Sequence, residues 1–126
     1  MEKMVKNQDI LNLGNFFVKN WDSAMKETKL NSRSLYNLIR LKKTILPIAE
    51  SIQETVIEIA KSHGGEVMET GGVKVPDDKI QESNTAIGEF LEGEDTVHYQ
   101  TITMSDDDSL SPDLMEVIFD FIEFKD

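Results

Sequence analysis

Between Leu35 and Ala60 the apolar positions Leu38, Leu41, Ile45, Ile48, Ile52 and Ile59 fall at helical intervals, with Val56 alongside. An α-helix turns once every 3.6 residues, so these positions share one face. A stripe so long and narrow calls for a second helix along it, as in a helical hairpin or coiled coil. Arg33, Arg40, Lys42 and Lys43 lie in the first half of the run, and Glu50, Glu54 and Glu58 form a ridge facing solvent in the second. Pro47 interrupts it. Proline lacks an N–H and its ring crowds the preceding turn, at a cost of about 3 kcal/mol in a straight helix. The apolar register continues on both sides, so a kink is predicted rather than two helices.

The covering helix is predicted from about Asp9 to Thr28. Ile10, Leu13, Phe17, Trp21 and Ala24 make one stripe, with Phe16 beside it. Such an aromatic stripe is packing surface rather than a base-stacking platform. Gly14 weakens this helix by roughly 1 kcal/mol relative to alanine. In the intervening "KLNSRS", Asn31 or Ser32 can cap the long helix by accepting a free backbone N–H.

His63, Gly64 and Gly65 suit the end of the long helix. "EVMET" and "VKV" then predict a short hairpin with a two-residue turn at Gly71-Gly72. Pro76, Asp77 and Asp78 open a third helix with Ile80, Ile87, Phe90 and Leu91 on its apolar face, closed by Gly93. "DTVHYQTITM" alternates, Val97, Tyr99 and Thr101 against His98, Gln100, Ile102 and Met104, which predicts a strand. Three strands are more stable than two, so it is expected to join the hairpin. Ser111 as N-cap, Pro112 at the first helical position and Asp113 after it start a last helix. Leu114, Val117, Ile118, Phe121 and Ile122 form its buried face, widened by Met115, Phe119 and Phe124.

The expected fold is therefore α+β and mostly helical. A long kinked helix packs with an N-terminal helix, beside a small antiparallel sheet (hairpin plus one strand) and a C-terminal helix. One domain over residues 1–126 is expected, with a helical half at about 8–63 and a mixed acidic half at about 64–126.

Charge divides along the same line. The chain is −11 overall, +3 over residues 1–63 and −14 over residues 64–126. Such asymmetry bears on partners and solubility rather than on fold. A half at −14 repels phosphates, so no direct nucleic-acid binding is expected through it. Its natural complement is a basic protein surface. The residues expected to carry that contact are Glu92, Glu94, Asp95, Asp106, Asp107 and Asp108, grouped by sequence around the strand.

No motif points to a reaction. An EF-hand loop begun at Asp106 needs glycine sixth and glutamate twelfth, but Ser111 and Val117 stand there, and a start at Asp108 fails too. The triple aspartate reads as an acidic turn. His63 and His98 lack ligand spacing, there is no cysteine, and neither GxSxG nor HExxH occurs. No catalytic, metal or cofactor-binding residue is expected, and none of these features implies a cofactor. With no apolar run of about 18 residues and no secretory signal, no membrane contact is expected and the cytoplasm is the expected compartment.

The succession of "KSHGGE", a hairpin, "EFLEGE", a strand and "LSPDLMEVIFDFIE" resembles a family of short acidic uncharacterised proteins of phages and prophages of Gram-positive bacteria. The resemblance spans roughly residues 35–123 and is sharpest over Glu89–Glu94 and Leu110–Glu123. Pro47 and the aromatic-rich first helix depart from that pattern. It implies a phage setting, in an infected or lysogenic cell, rather than any particular activity. Charge and setting together predict a non-enzymatic interaction module that blocks a basic, nucleic-acid-binding surface of a host or defence protein. The alternative is a virion-assembly or chaperone-like structural protein acting through the long helix, which could also form a homodimer.

Overall fold

The computed structural model describes residues 1–125. Strand β1 (Glu2–Lys6) leads into helix α1 (Asn7–Lys26), which is followed by the long helix α2 (Ser32–Ser62). A hairpin of β2 (Glu66–Val67) and β3 (Val73–Lys74) precedes α3 (Ile80–Glu92), β4 (Glu94–His98) and β5 (Ile102–Met104). Helix α4 (Pro112–Ile118), a short 3-10 turn and β6 (Ile122–Phe124) complete it. The class is α+β, with the long helix packed against the N-terminal one, small strand pairs and a C-terminal helix.

Helix α2 runs through Pro47 without a break, giving 31 residues and about 46 Å of length. Pro47 and Lys43 are both exposed, so the carbonyl that loses its intrahelical donor, at Lys43, can turn to water. Asn31 caps the helix, its side chain accepting from the Ser34 N–H at 2.9 Å. Contacts between Gly14 and Ala49 and between Trp21 and Lys42 show that α1 and α2 run antiparallel. The stripes meet as expected. Ile10, Leu13 and Phe17 bury against Leu38, Leu41, Ile45 and Ile52 in one core with Val97, Ile102, Leu114 and Ile118. Each large side chain taken fully out of water contributes roughly 1.5–3 kcal/mol.

Strand pairing differs from expectation. The predicted single strand is two, broken at Tyr99–Thr101, and neither half joins the hairpin. Strand β4 pairs antiparallel with β1, from Glu2 opposite His98 to Lys6 opposite Glu94. Strand β5 pairs parallel with β6, from Ile102 opposite Ile122 to Met104 opposite Phe124. Parallel neighbours need a crossover, which the loop after β5 and α4 provide. The reason for the break is burial: Val97 and Ile102 are both wholly buried although strict alternation over the intervening residues places them on opposite faces. A bend lets both point inward.

The hairpin turn is also longer than two residues. It is closed by the Gly71 N–H donating to the Met68 carbonyl at 2.9 Å, with Gly71 at φ +88°. Helix α1 starts at Asn7, and α3 starts at Ile80 after a turn at Pro76–Lys79. Ser111 caps α4 as expected, but the helix ends at Ile118. Phe121 is buried from the 3-10 turn rather than from the helix, while Phe119 and Phe124 are more than half exposed.

Candidate functional site

The six acidic residues expected to bind a partner do not form one surface. Glu92, Glu94 and Asp95 lie where α3 passes into β4, beside the start of α1, where Asn7 donates to the Gly93 carbonyl at 2.8 Å. Asp106, Asp107 and Asp108 lie beyond the other end of α1, where Lys29 and Ser109 exchange backbone hydrogen bonds. Helix α1 has 20 residues, so the groups are separated by about 30 Å.

The three aspartates also divide among themselves. Asp108 accepts from the Ser105 N–H at 2.9 Å, the Ser105 hydroxyl at 3.0 Å, the Asn31 N–H at 2.8 Å and the Asn31 side-chain amide at 3.0 Å. The Ser105 N–H does most to hold its carboxyl below the ordinary value; partial burial opposes this and the Asn31 donors add to it. Asp108 thus ties the loop to the cap of α2. Asp106 and Asp107 stand at the exposed tip of the turn that the Asp108 N–H closes onto the Ser105 carbonyl.

At the other end, Glu92 accepts from the Lys6 ammonium at 3.0 Å. That hydrogen bond, and the Glu92 charge with it, raise the affinity of Lys6 for its proton. Glu94 and Asp95 are exposed and have no ion-pair partner within 4.0 Å among the described residues. Asp95 lines a shallow groove with Pro47, Ser51, Thr55 and Phe90, which brings this acidic group beside the second half of α2. On that half Glu50, Glu54 and Glu58 are exposed at four-residue steps, and among the described residues only Glu58 has a cation within 4.0 Å, Lys61 at 3.4 Å.

Of the first-half cations, Lys6 and Lys61 each pair with one carboxylate here, Glu92 and Glu58, and Arg33, Arg40 and Lys42 do not. Arg33 and Arg40 lie over the Tyr36 ring, 5.9 and 5.6 Å from its centroid, and Lys42 lies 4.3 Å above Trp21. Helix α2 is therefore itself polar in charge: basic residues on aromatic faces at its start, open carboxylates along its end. The −14 and +3 halves of the sequence are not two halves of the molecule.

On the outer side of the helical pair, Leu11, Asn15, Val18, Leu46, Gln53, Glu50 and Glu54 surround a groove of about 540 Å³ floored by Gly14 and Ala49. In the sequence Glu50 and Glu54 read only as part of a solvated ridge. The signal that marks the groove is the set of apolar residues off the buried stripes, Leu11 and Val18 at a spacing of seven on α1 and Leu46 on α2.

Among the described residues no group of three His, Asp or Glu side chains is placed to hold a metal ion. His63 Nδ1 lies 2.8 Å from the Ile59 carbonyl at the end of α2, and His98 lies 3.7 Å from Glu2 across the β1–β4 pair. No helix among those residues is long and apolar enough to cross a membrane. No family model, curated protein or solved structure matches the chain.

Proposed function

We propose that this protein is a non-enzymatic interaction module whose acidic end occupies a basic surface of a protein partner. The observation that carries this reading is a set of exposed carboxylates outside any ion pair among the described residues, Glu50 and Glu54 on α2 and Glu94 and Asp95 at the start of β4, in a chain whose two arginines lie over Tyr36 instead. Exposed carboxylates held in no ion pair steer a basic partner and repel phosphate. A nucleic-acid-binding protein offers such a basic surface, so the reading extends to an inhibitor that blocks that surface in a host or defence protein. The phage setting of this reading rests on the resemblance of Glu89–Glu94 and Leu110–Glu123, and the cytoplasm of an infected cell is its compartment.

An assembly or chaperone-like role through the long helix would need apolar surface on α2. That stripe is occupied by α1, and the one large apolar side chain of α2 more than a third exposed is Tyr36.

The test is an affinity capture from bacterial lysate at low and physiological salt, with mass spectrometry of the eluate, followed by titration of the purified partner. The partner is expected to be basic, and its affinity to fall by about tenfold or more as salt rises over that range. Binding that is indifferent to salt, or capture of acidic partners only, would overturn the reading.

A further inference from the structure

The groove between α1 and α2 has a floor without side-chain bulk, apolar walls and an acidic rim. Gly14 and Ala49 make the floor, where the two helices approach too closely for a Cβ at Gly14. Leu11, Val18 and Leu46 form the walls, and Val18 is 73% exposed although it lies within a helix that buries its other face. Glu50 and Glu54 stand on the rim, and no cation is among the residues lining the groove. The distance along α1 from Leu11 to Val18 is about 10 Å, two turns of helix. That is the length over which a docked helix presents anchors at i, i+3 or i+4, and i+7.

We infer that this groove receives an amphipathic helix from the partner, its apolar face seated between Leu11, Val18 and Leu46 and its flanking lysines or arginines paired with Glu50 and Glu54. The inference rests on the proposed function and makes it specific in seat and partner. Charge decides between occupants. A second copy docked face to face would gather four glutamates, Glu50 and Glu54 of each copy, into an interface whose groove lining supplies no cation. An anionic lipid surface or a nucleic acid would meet the same repulsion. A basic helix satisfies walls and rim together.

The test uses the full chain and a fluorescein-labelled synthetic peptide of leucines and lysines with helical periodicity, read by fluorescence anisotropy. A scrambled peptide of equal composition is the control. The periodic peptide is expected to bind about tenfold or more tightly than the scrambled one, and Val18→Lys and the double variant Glu50→Gln/Glu54→Gln each to weaken it by about tenfold. Val18 and both glutamates are exposed, so unchanged circular dichroism and melting temperature are expected for these variants. Asp106→Asn/Asp107→Asn, beyond the far end of α1, is expected to leave peptide affinity unchanged. Equal binding of the two peptides, no binding of either, or wild-type affinity in the groove variants would overturn the inference. A loss confined to Glu94→Gln/Asp95→Asn would remove the groove and keep the acidic module. Salt-indifferent binding that no acidic variant weakens would remove both. A dimer in sedimentation that Val18→Lys dissociates would assign the groove to a second copy and overturn the basic-helix occupant.

Discussion

Gly14 of α1 lies so close to Ala49 of α2 that a Cβ added at Gly14 would collide with the Ala49 methyl carbon. The glycine is needed for approach, not for backbone freedom, since it sits in regular helix. Two effects of Gly14→Ala oppose each other. Helix propensity favours alanine by about 1 kcal/mol, whereas overpacking costs about 1–3 kcal/mol. The contact is between two helix backbones held by a core on the other side, so overpacking wins. Urea unfolding should show Gly14→Ala less stable than wild type, and Ala49→Gly added to it should recover part of the loss. A Gly14→Ala variant more stable than wild type would mean that the helices lie further apart.

Asp108 anchors its loop, and Asp106 and Asp107 do not. Replacing Asp108 with alanine should lower the melting temperature, while Asp106→Asn and Asp107→Asn should leave it unchanged. Because folding lowers the affinity of the Asp108 carboxylate for its proton, its contribution is complete above the ordinary carboxylate range, about pH 4. It is lost as pH falls through the lower folded value. Wild type and Asp108→Ala should therefore converge in melting temperature below about pH 4, and a gap that persists undiminished there would sink this account.

Asn31 serves two structures at once. Its side-chain oxygen caps α2 through the Ser34 N–H, and its amide and backbone N–H both donate to Asp108. Loss of an N-cap costs about 1 kcal/mol. Asn31→Ala should cost at least that, and Asn31→Ala combined with Asp108→Ala should cost less than the two changes summed, because they break shared bonds. Strict additivity in chemical denaturation would show that the two residues are not coupled.

Ser83 in α3 is 1% exposed, and its hydroxyl finds no hydrogen-bond partner among the described residues. A buried hydroxyl without a partner costs about 1–3 kcal/mol, and alanine is the better helix former. Ser83→Ala should raise stability by about 1 kcal/mol in thermal or urea unfolding. A lower melting temperature would mean that the hydroxyl is bonded in solution.

Long-period information was legible in the chain and short-period information was not. The stripe from Leu38 to Ile52 predicted both α2 and its need for a covering helix, and Ser111-Pro112 marked the start of α4. Strand β1 gave no warning. Lys3 and Val5 share one face and Glu2, Met4 and Lys6 the other, so each face mixes charge with an apolar residue and the two-residue period vanishes. Its partner β4 lies some ninety residues away, and only Lys6 opposite Glu94 and Glu2 opposite His98 give the pairing a chemical signature. The acidic site was half legible. Exposure of Glu94 and Asp95 follows from charge, but the separation of that pair from Asp106 and Asp107 depends on which end of α1 each reaches.

Composition and periodicity alone determined that this chain is mostly helical, that α2 is long, and that acid exceeds base throughout the second half. These properties are set by residues within a turn or two of one another, through 3.6-residue repeats and local capping. Only the tertiary structure decided that Gly14 is a contact, that Asp108 is a brace while its two neighbours are free, and that Glu50 and Glu54 rim a groove walled by Leu11 and Val18. Each of those depends on two segments meeting in space, and the free energy that brings them together comes from a core shared by the whole chain.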